Sequence, residues 1–431
     1  MTDLYPPQVL AVIPGFMPST FICIVKPLLK LHRAGRIAAR ITLESLVRKK
    51  VVESKDLVIF CRNTEPRYSH ILNIIKERGI RYIYDLDDNL FDVPVDTELG
   101  KYHRNPSRIA MLTNYLQSAD LVRVYSEPLL KRVLSLNQKV EKVSGPVDWS
   151  LISNRKRISH EKIRIVFATA RVYDDMAEIV MPALTRVLNT FGPKIEIHFW
   201  GTSPPFLSSL SNIKFHPLIS DYDKFLRRFS DAGFDIGLAP LKDDVFYRSK
   251  TNNKFREYGA CRVAGIYSDM DVYSSCVSDA ETGLLVSNDP EAWYGAIVRL
   301  VEHLDLREKI KENAFKYVRQ HYSQEDFENI WWDQIKKVLS EKDSSSILSP
   351  SVRNISSGQG LRIEKAVRCD NQEEESTLNI INRKLHNLFH HLQQYGVQMT
   401  FWLVRRSLYN YWMVLKLRML TSTAAKIFWR K

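Results

Sequence analysis

Along most of the chain, apolar runs of strand length alternate with longer segments in which apolar positions recur every three or four residues. Val9-Leu10-Ala11-Val12-Ile13 is followed by Pro14-Gly15 and a helix-like stretch that starts near Ser19 and runs through Leu31. Further strands are predicted at 56–60, 81–85 and 120–125, with helices at 69–78 and 106–118. Strands separated by helices in this way make a parallel sheet. After the polar stretch 153–162 a second series begins, with strands at 163–168, 195–200, 213–216, 236–239 and 263–268. Helices at 181–190 and 223–230 lie among them, and helices at 290–303 and 306–321 follow the last strand. The predicted fold class is α/β, with two Rossmann-like doubly wound domains. Ligands in such folds sit at the carboxyl ends of the strands, so the interdomain cleft is the candidate site.

The predicted domains are 1–150 and 160–322, followed by a helix at 323–340 in which Trp331, Trp332 and Ile335 anchor the chain back onto the first domain. Ser, Pro and Gly then mark a linker at 341–372, and a helical basic and aromatic tail occupies 373–431. Within the tail Leu378, Ile381, Leu385, Leu388, Leu392, Tyr395, Met399 and Trp402 alternate spacings of three and four. That seam fits a homodimer through 378–402 or a helix packed on its own body, and both readings stand.

Composition adds bounds. A chain of 431 residues that is 45% hydrophobic and 26% charged can bury large cores. Cys23, Cys61, Cys261, Cys276 and Cys369 are scattered and form no C-x-x-C pair, which argues against a disulfide framework or a zinc site and fits a reducing cytoplasm. The N-terminus lacks a basic region, a long apolar region and a cleavage site, so secretion is not expected. The net charge of +13 is concentrated in residues 397–431, which carry Arg405, Arg406, Lys416, Arg418, Lys426, Arg430 and Lys431 and no acid. No nucleic-acid recognition motif accompanies it, and nucleic acid is not an expected partner. Interleaved with Phe401, Trp402, Tyr409, Tyr411, Trp412 and Trp429, these charges suit an anionic membrane surface, at the inner face of the plasma membrane. The same charges argue against a membrane span.

The segment from Phe246 to Asp269 carries the chemistry. Lys254, Glu257 and Tyr258 form a Lys-x-x-Glu-Tyr pattern, followed by a small-residue turn, a strand ending in Ser268-Asp269, and Thr282-Gly-Leu-Leu-Val286. In order and spacing this resembles glycosyltransferase family 4, the "glycosyl transferases group 1" of the GT-B fold. Asp235-Ile-Gly-Leu-Ala-Pro-Leu and Ser118-Ala-Asp-Leu-Val extend the resemblance over about residues 8–340. It implies transfer of a sugar from a nucleotide-sugar co-substrate to a glycan, lipid-linked or other acceptor, with retention, in polysaccharide or glycoconjugate biosynthesis.

A carboxylate can accept both hydroxyls of a ribose, and a departing diphosphate needs cations. Glu257 is therefore the expected ribose ligand, and Lys250 and Lys254, read as four apart on one helical face, the expected leaving-group stabilisers. Gly15, Arg171, Tyr258 and Thr282 complete the expected donor-binding set, and no metal is expected to be required. The pattern departs from the family in two places. Ser249 stands eight residues before Glu257, where a first glutamate would contact the donor sugar, and Asp174 and Asp175 fall where a phosphate-binding lysine is common. Ser249 motivates one alternative, a non-catalytic scaffold of the same fold. Asp85-Leu-Asp87-Asp88-Asn89 motivates another, a metal-dependent GT-A transferase using Asp85-x-Asp87. In the GT-B reading Asp87 and Asp88 instead face the cleft and shape the acceptor side, or cap the next segment, and His103 is a further candidate on the acceptor side.

Overall fold

The computed structural model describes residues 5–153, 160–169, 175–201, 212–341, 408–414 and 416–417. Met1–Leu339 form one compact unit and Ser340–Lys431 a second. The first unit holds two six-stranded sheets whose neighbouring strands are all parallel. The first sheet comprises β1 (Gln8–Ile13), β2 (Ala38–Leu43), β3 (Leu57–Cys61), β4 (Arg81–Leu86), β5 (Leu121–Val124) and β6 (Val140–Lys142), in the order β2-β1-β3-β4-β5-β6. The second comprises β7 (Ile163–Ala168), β8 (Ile195–Trp200), β9 (Ile213–His216), β10 (Ile236–Ala239), β11 (Ala264–Ser268) and β12 (Leu284–Val286), in the order β12-β11-β10-β7-β8-β9. The winding reverses beside β1 in one sheet and beside β7 in the other. At such points the helices leave opposite faces and a crevice opens at the strand ends.

Every strand that the apolar runs predict is present. The strands that the pattern does not predict, β2, β6 and β12, are all sheet edges. An edge is wetted on one side, so it needs no continuous apolar run. Val9 through Ile13 and Leu57 through Phe60, in the interior, are fully buried.

The helix Gln324–Ser340 lies against the first sheet's side with Trp331 and Ile335 fully buried, while Trp332 is half-buried. Trp331 Nε1 donates to the Cys23 carbonyl at 2.8 Å. Four residues after Cys23 stands Pro27, which has no N–H to close an α-helical bond onto that carbonyl. Arg123 from β5 stacks on the Trp331 ring at 3.4 Å and donates to Gln334 at 2.7 Å, and Gln334 donates in turn to Glu141 at 2.6 Å. Near the passage between the sheets, Lys26 pairs with Asp148 and with Asp223, each at 2.7 Å.

Candidate functional site

Between the sheets lies a cleft of about 570 Å³, part of it open to solvent. Ser19, Cys23, Asp87 and Tyr125 line it from the first sheet's side, and Arg256 and Glu257 from the second. The wall after β1 is a helix that begins at Pro18 and loosens into a π turn, Phe21–Val25, before continuing as Lys26–Arg33. The π turn brings Ile22 and Cys23 to the cleft. Burial, reinforced by the Asp85 and Asp87 charges, pushes the Cys23 thiol up to about 12, which disfavours its thiolate form. Gly15 is buried and its carbonyl accepts from the Met17 amide at 3.2 Å; the helix after it, rather than Gly15, lines the cleft.

The opposite wall is the helix Asn253–Ala260, which is preceded by the short helix Val245–Arg248. Lys250 lies in the turn between them, so Lys250 and Lys254 do not share a helical face, contrary to expectation; the turn 249–252 separates them. Lys250 Nζ instead reaches across the cleft mouth to both carboxylate oxygens of Asp88, at 2.7 and 2.8 Å. Lys254 Nζ lies 2.8 Å from Glu257 Oε2, the local i,i+3 pair that the spacing permits. Tyr222, also on the cleft, has its phenol pushed well up by burial and by the Glu257 charge. Tyr258 is placed differently from expectation. It is fully buried, donates to the Leu238 carbonyl at 2.9 Å and stacks on Phe229, because it occupies the helix face turned to β10. Thr282 is likewise turned into its own loop, accepting from the Ser278 amide at 2.8 Å. Arg171, Asp174 and the Asp175 side chain lie outside the described residues.

Two residues of this wall carry more than their sequence signal suggests. Ser249 is 1% exposed; its hydroxyl donates to the Val245 carbonyl at 2.7 Å and accepts from Asn89 at 3.2 Å, while its carbonyl accepts from Ser126 at 2.7 Å. It is a clamp between the two sheets. Arg256 donates to the Pro146 carbonyl at 3.0 Å and to Asn252 at 3.1 Å. Gly145 makes room for it, since a Cβ there would lie 2.6 Å from the guanidinium. No motif marked Arg256; only the helix start at Asn253 aims it at the cleft.

The end of β4 and the turn after it divide their carboxylates among separate partners. Asp85 is fully buried, 3.1 Å from Arg123 Nε, and accepts from the Tyr125 hydroxyl at 2.9 Å. Burial pushes it up to about 7 against the pull of Arg123. Asp87 is bound by Arg62, whose guanidinium also stands 3.7 Å from Asp88. Arg62 has a left-handed backbone with φ of 56°. His103 is pushed down to about 4 by burial and by the Arg62 charge, and is neutral at pH 7. Among the described residues, no cluster of three or more His, Cys, Asp or Glu side chains could hold a metal ion. The two-sheet architecture overturns the Asp85-x-Asp87 GT-A alternative, and the burial of Asp85 against Arg123 gives the physical reason.

No protein-family model matches the sequence, and no curated protein matches it either. Solved structures do. A glycosyltransferase from Rickettsia africae ESF-5 is 14% identical, with a TM-score of 0.58, over 78% of this chain and 100% of that one. Sucrose-phosphate synthase from Thermosynechococcus elongatus is 14% identical, with a TM-score of 0.57, over 77% and 98%. Anabaena HepE in complex with UDP-glucose is 13% identical, with a TM-score of 0.56, over 77% and 100%. At such identities the likeness shows the fold: the chain has the GT-B fold.

Proposed function

We propose that this GT-B chain is a glycosyltransferase that moves a sugar from a nucleoside-diphosphate sugar to a glycan or lipid-linked acceptor. The observation that carries the reading is the position of Glu257: a carboxylate on the wall of the cleft at the strand ends, with Lys254 beside it and Arg256 next to it in sequence. Glu257 accepts the two ribose hydroxyls. Lys250, Lys254 and Arg171 meet the diphosphate, and on donor binding the two lysines exchange their present carboxylate partners for phosphate oxygens. The leaving group is stabilised by these cations as the sugar loosens toward an oxocarbenium ion, with retention of configuration and without a protein nucleophile. HepE and sucrose-phosphate synthase, which share the fold, lend support through the UDP-glucose bound to one and the sugar-phosphate product named for the other. The acceptor enters from the first sheet's side, and the pathway is polysaccharide or glycoconjugate synthesis at the inner face of the plasma membrane.

Calorimetric titration of the full chain with UDP, GDP, ADP, TDP and their sugar conjugates, in EDTA, tests this. One nucleotide series should bind, and Glu257→Ala should weaken it by about tenfold or more, the cost of losing a charged hydrogen-bond acceptor. Absence of binding by every nucleotide would favour a scaffold, and binding only after addition of Mn²⁺ would overturn the metal-free site.

A further inference from the structure

We propose that Asp87 is the specificity-determining carboxylate that reads the hydroxyls of the transferred sugar, with Arg62 as its positioning residue. The proposal rests on the glycosyl-transfer reading above and names the part of the donor that this wall of the cleft contacts.

Among the described residues lining the cleft, the acids are Asp87 on one wall and Glu257 on the other. Glu257 belongs to the helix that carries the cations, where an anionic diphosphate is attracted. Asp87 stands on the facing wall, its charge matched by Arg62, and presents hydrogen-bond acceptors to the cleft. What meets it must offer hydrogen-bond donors without negative charge, and the hydroxyls of a hexose do so. A second route to sugar recognition is closed on the opposite wall, because the Ser249 side chain is buried and spent on Val245 and Asn89.

The setting of Asp87 is that of a fixed ligand group. It is 5% exposed and yet faces the cleft, and Arg62 engages its Oδ1. A carboxylate has further lone pairs on its other oxygen, enough to accept from a sugar hydroxyl while the guanidinium keeps its orientation. Arg62 reaches it from the end of β3 with a left-handed backbone, a conformation that is strained for a non-glycine residue and persists only where its surroundings impose it. The Asn63 side chain accepts from the Cys61 amide at 3.0 Å across that turn, and the Arg62 amide donates to the Asp85 carbonyl at 3.3 Å. Arg62 is thus held on both sides and aims its guanidinium at the acidic turn.

The test separates the sugar from the nucleotide. Affinities of the full chain for UDP, GDP, ADP and TDP, and for UDP-glucose, GDP-mannose, ADP-glucose and TDP-glucose, are measured for the wild type, Asp87→Asn, Arg62→Gln and the double variant, each checked by its melting profile. For the nucleotide series that binds, Asp87→Asn should leave the diphosphate within about twofold and weaken the sugar conjugate by about tenfold, the loss of one charged hydrogen bond. Arg62→Gln should weaken the conjugate in the same sense, and the double variant no further than Asp87→Asn, since residues acting through one another are not additive. Equal weakening of diphosphate and conjugate, or no weakening of either, would overturn the assignment. Failure of the wild type to bind any of these diphosphates would bring down the glycosyl-transfer reading, and this assignment with it.

Discussion

Glu44, at the carboxyl end of the first sheet, shows how a single buried side chain ties stability to pH. It is 6% exposed, and burial, opposed by a hydrogen bond from Asn63 and aided by the Glu65 charge, pushes its carboxyl from 4.5 up to about 7. Between those values the folded chain keeps a proton that the unfolded chain has lost, so this group's contribution to stability falls as pH rises through that window. Glu44→Gln stays neutral throughout. Melting curves at pH 5 and pH 8 should show the variant gaining on the wild type by on the order of 1–3 kcal/mol at the higher pH. An unchanged difference would mean that Glu44 does not titrate there. At the same scale, the residues of the helix Asn253–Ala260 differ in how legible they were. The pattern pointed to Glu257, and Glu257 lines the cleft. Tyr258 fits the same pattern for a packing reason, filling the space over Gly237, where a Cβ would lie 2.6 Å from its ring. Arg256 left no signal at all, because its partner is the Pro146 carbonyl, 110 residues away.

Among the elements, the turn 249–252 decides most. A helix read continuously through Lys250 and Lys254 would put both on one face; breaking it before Asn253 sends Lys250 to Asp88. Ser249 is fastened at this break by Asn89 and Ser126, so the serine in place of a glutamate has a structural role here. Ser249→Glu would bury a carboxylate against these groups and break the clamp. Denaturant unfolding should show a loss of about 3 kcal/mol or more. Full stability together with tighter sugar-nucleotide binding would show instead that the turn can open to present the glutamate to the donor. The edge strands β2, β6 and β12 make the converse point: they are held by the neighbours they pair with, and their own residues announce little.

For the molecule as a whole, the basic and aromatic tail calls for a test of its own. Among its described residues, Leu408, Tyr411 and Trp412 are 65%, 50% and 53% exposed, and Lys416 lies 5.1 Å from the Trp412 ring. No helix among the described residues is long and apolar enough to cross a membrane. Exposed aromatics beside cations suit a lipid headgroup layer, so removal of residues 397–431 should abolish cosedimentation with phosphatidylserine vesicles and leave nucleotide affinity unchanged. Unchanged cosedimentation would sink the membrane role. The 378–402 seam lies outside the described residues. By itself the sequence determined the two series of buried strands, the helix that returns to the first sheet and the helix bearing Glu257, because burial on both faces and local helical period are written in consecutive residues. Folding, and not residue spacing, sealed Asp85 against Arg123, bound Lys250 to Asp88 and brought Arg256 into the cleft. Each of those outcomes depends on which distant strand end supplies the partner charge, and residue spacing along one segment carries no record of that.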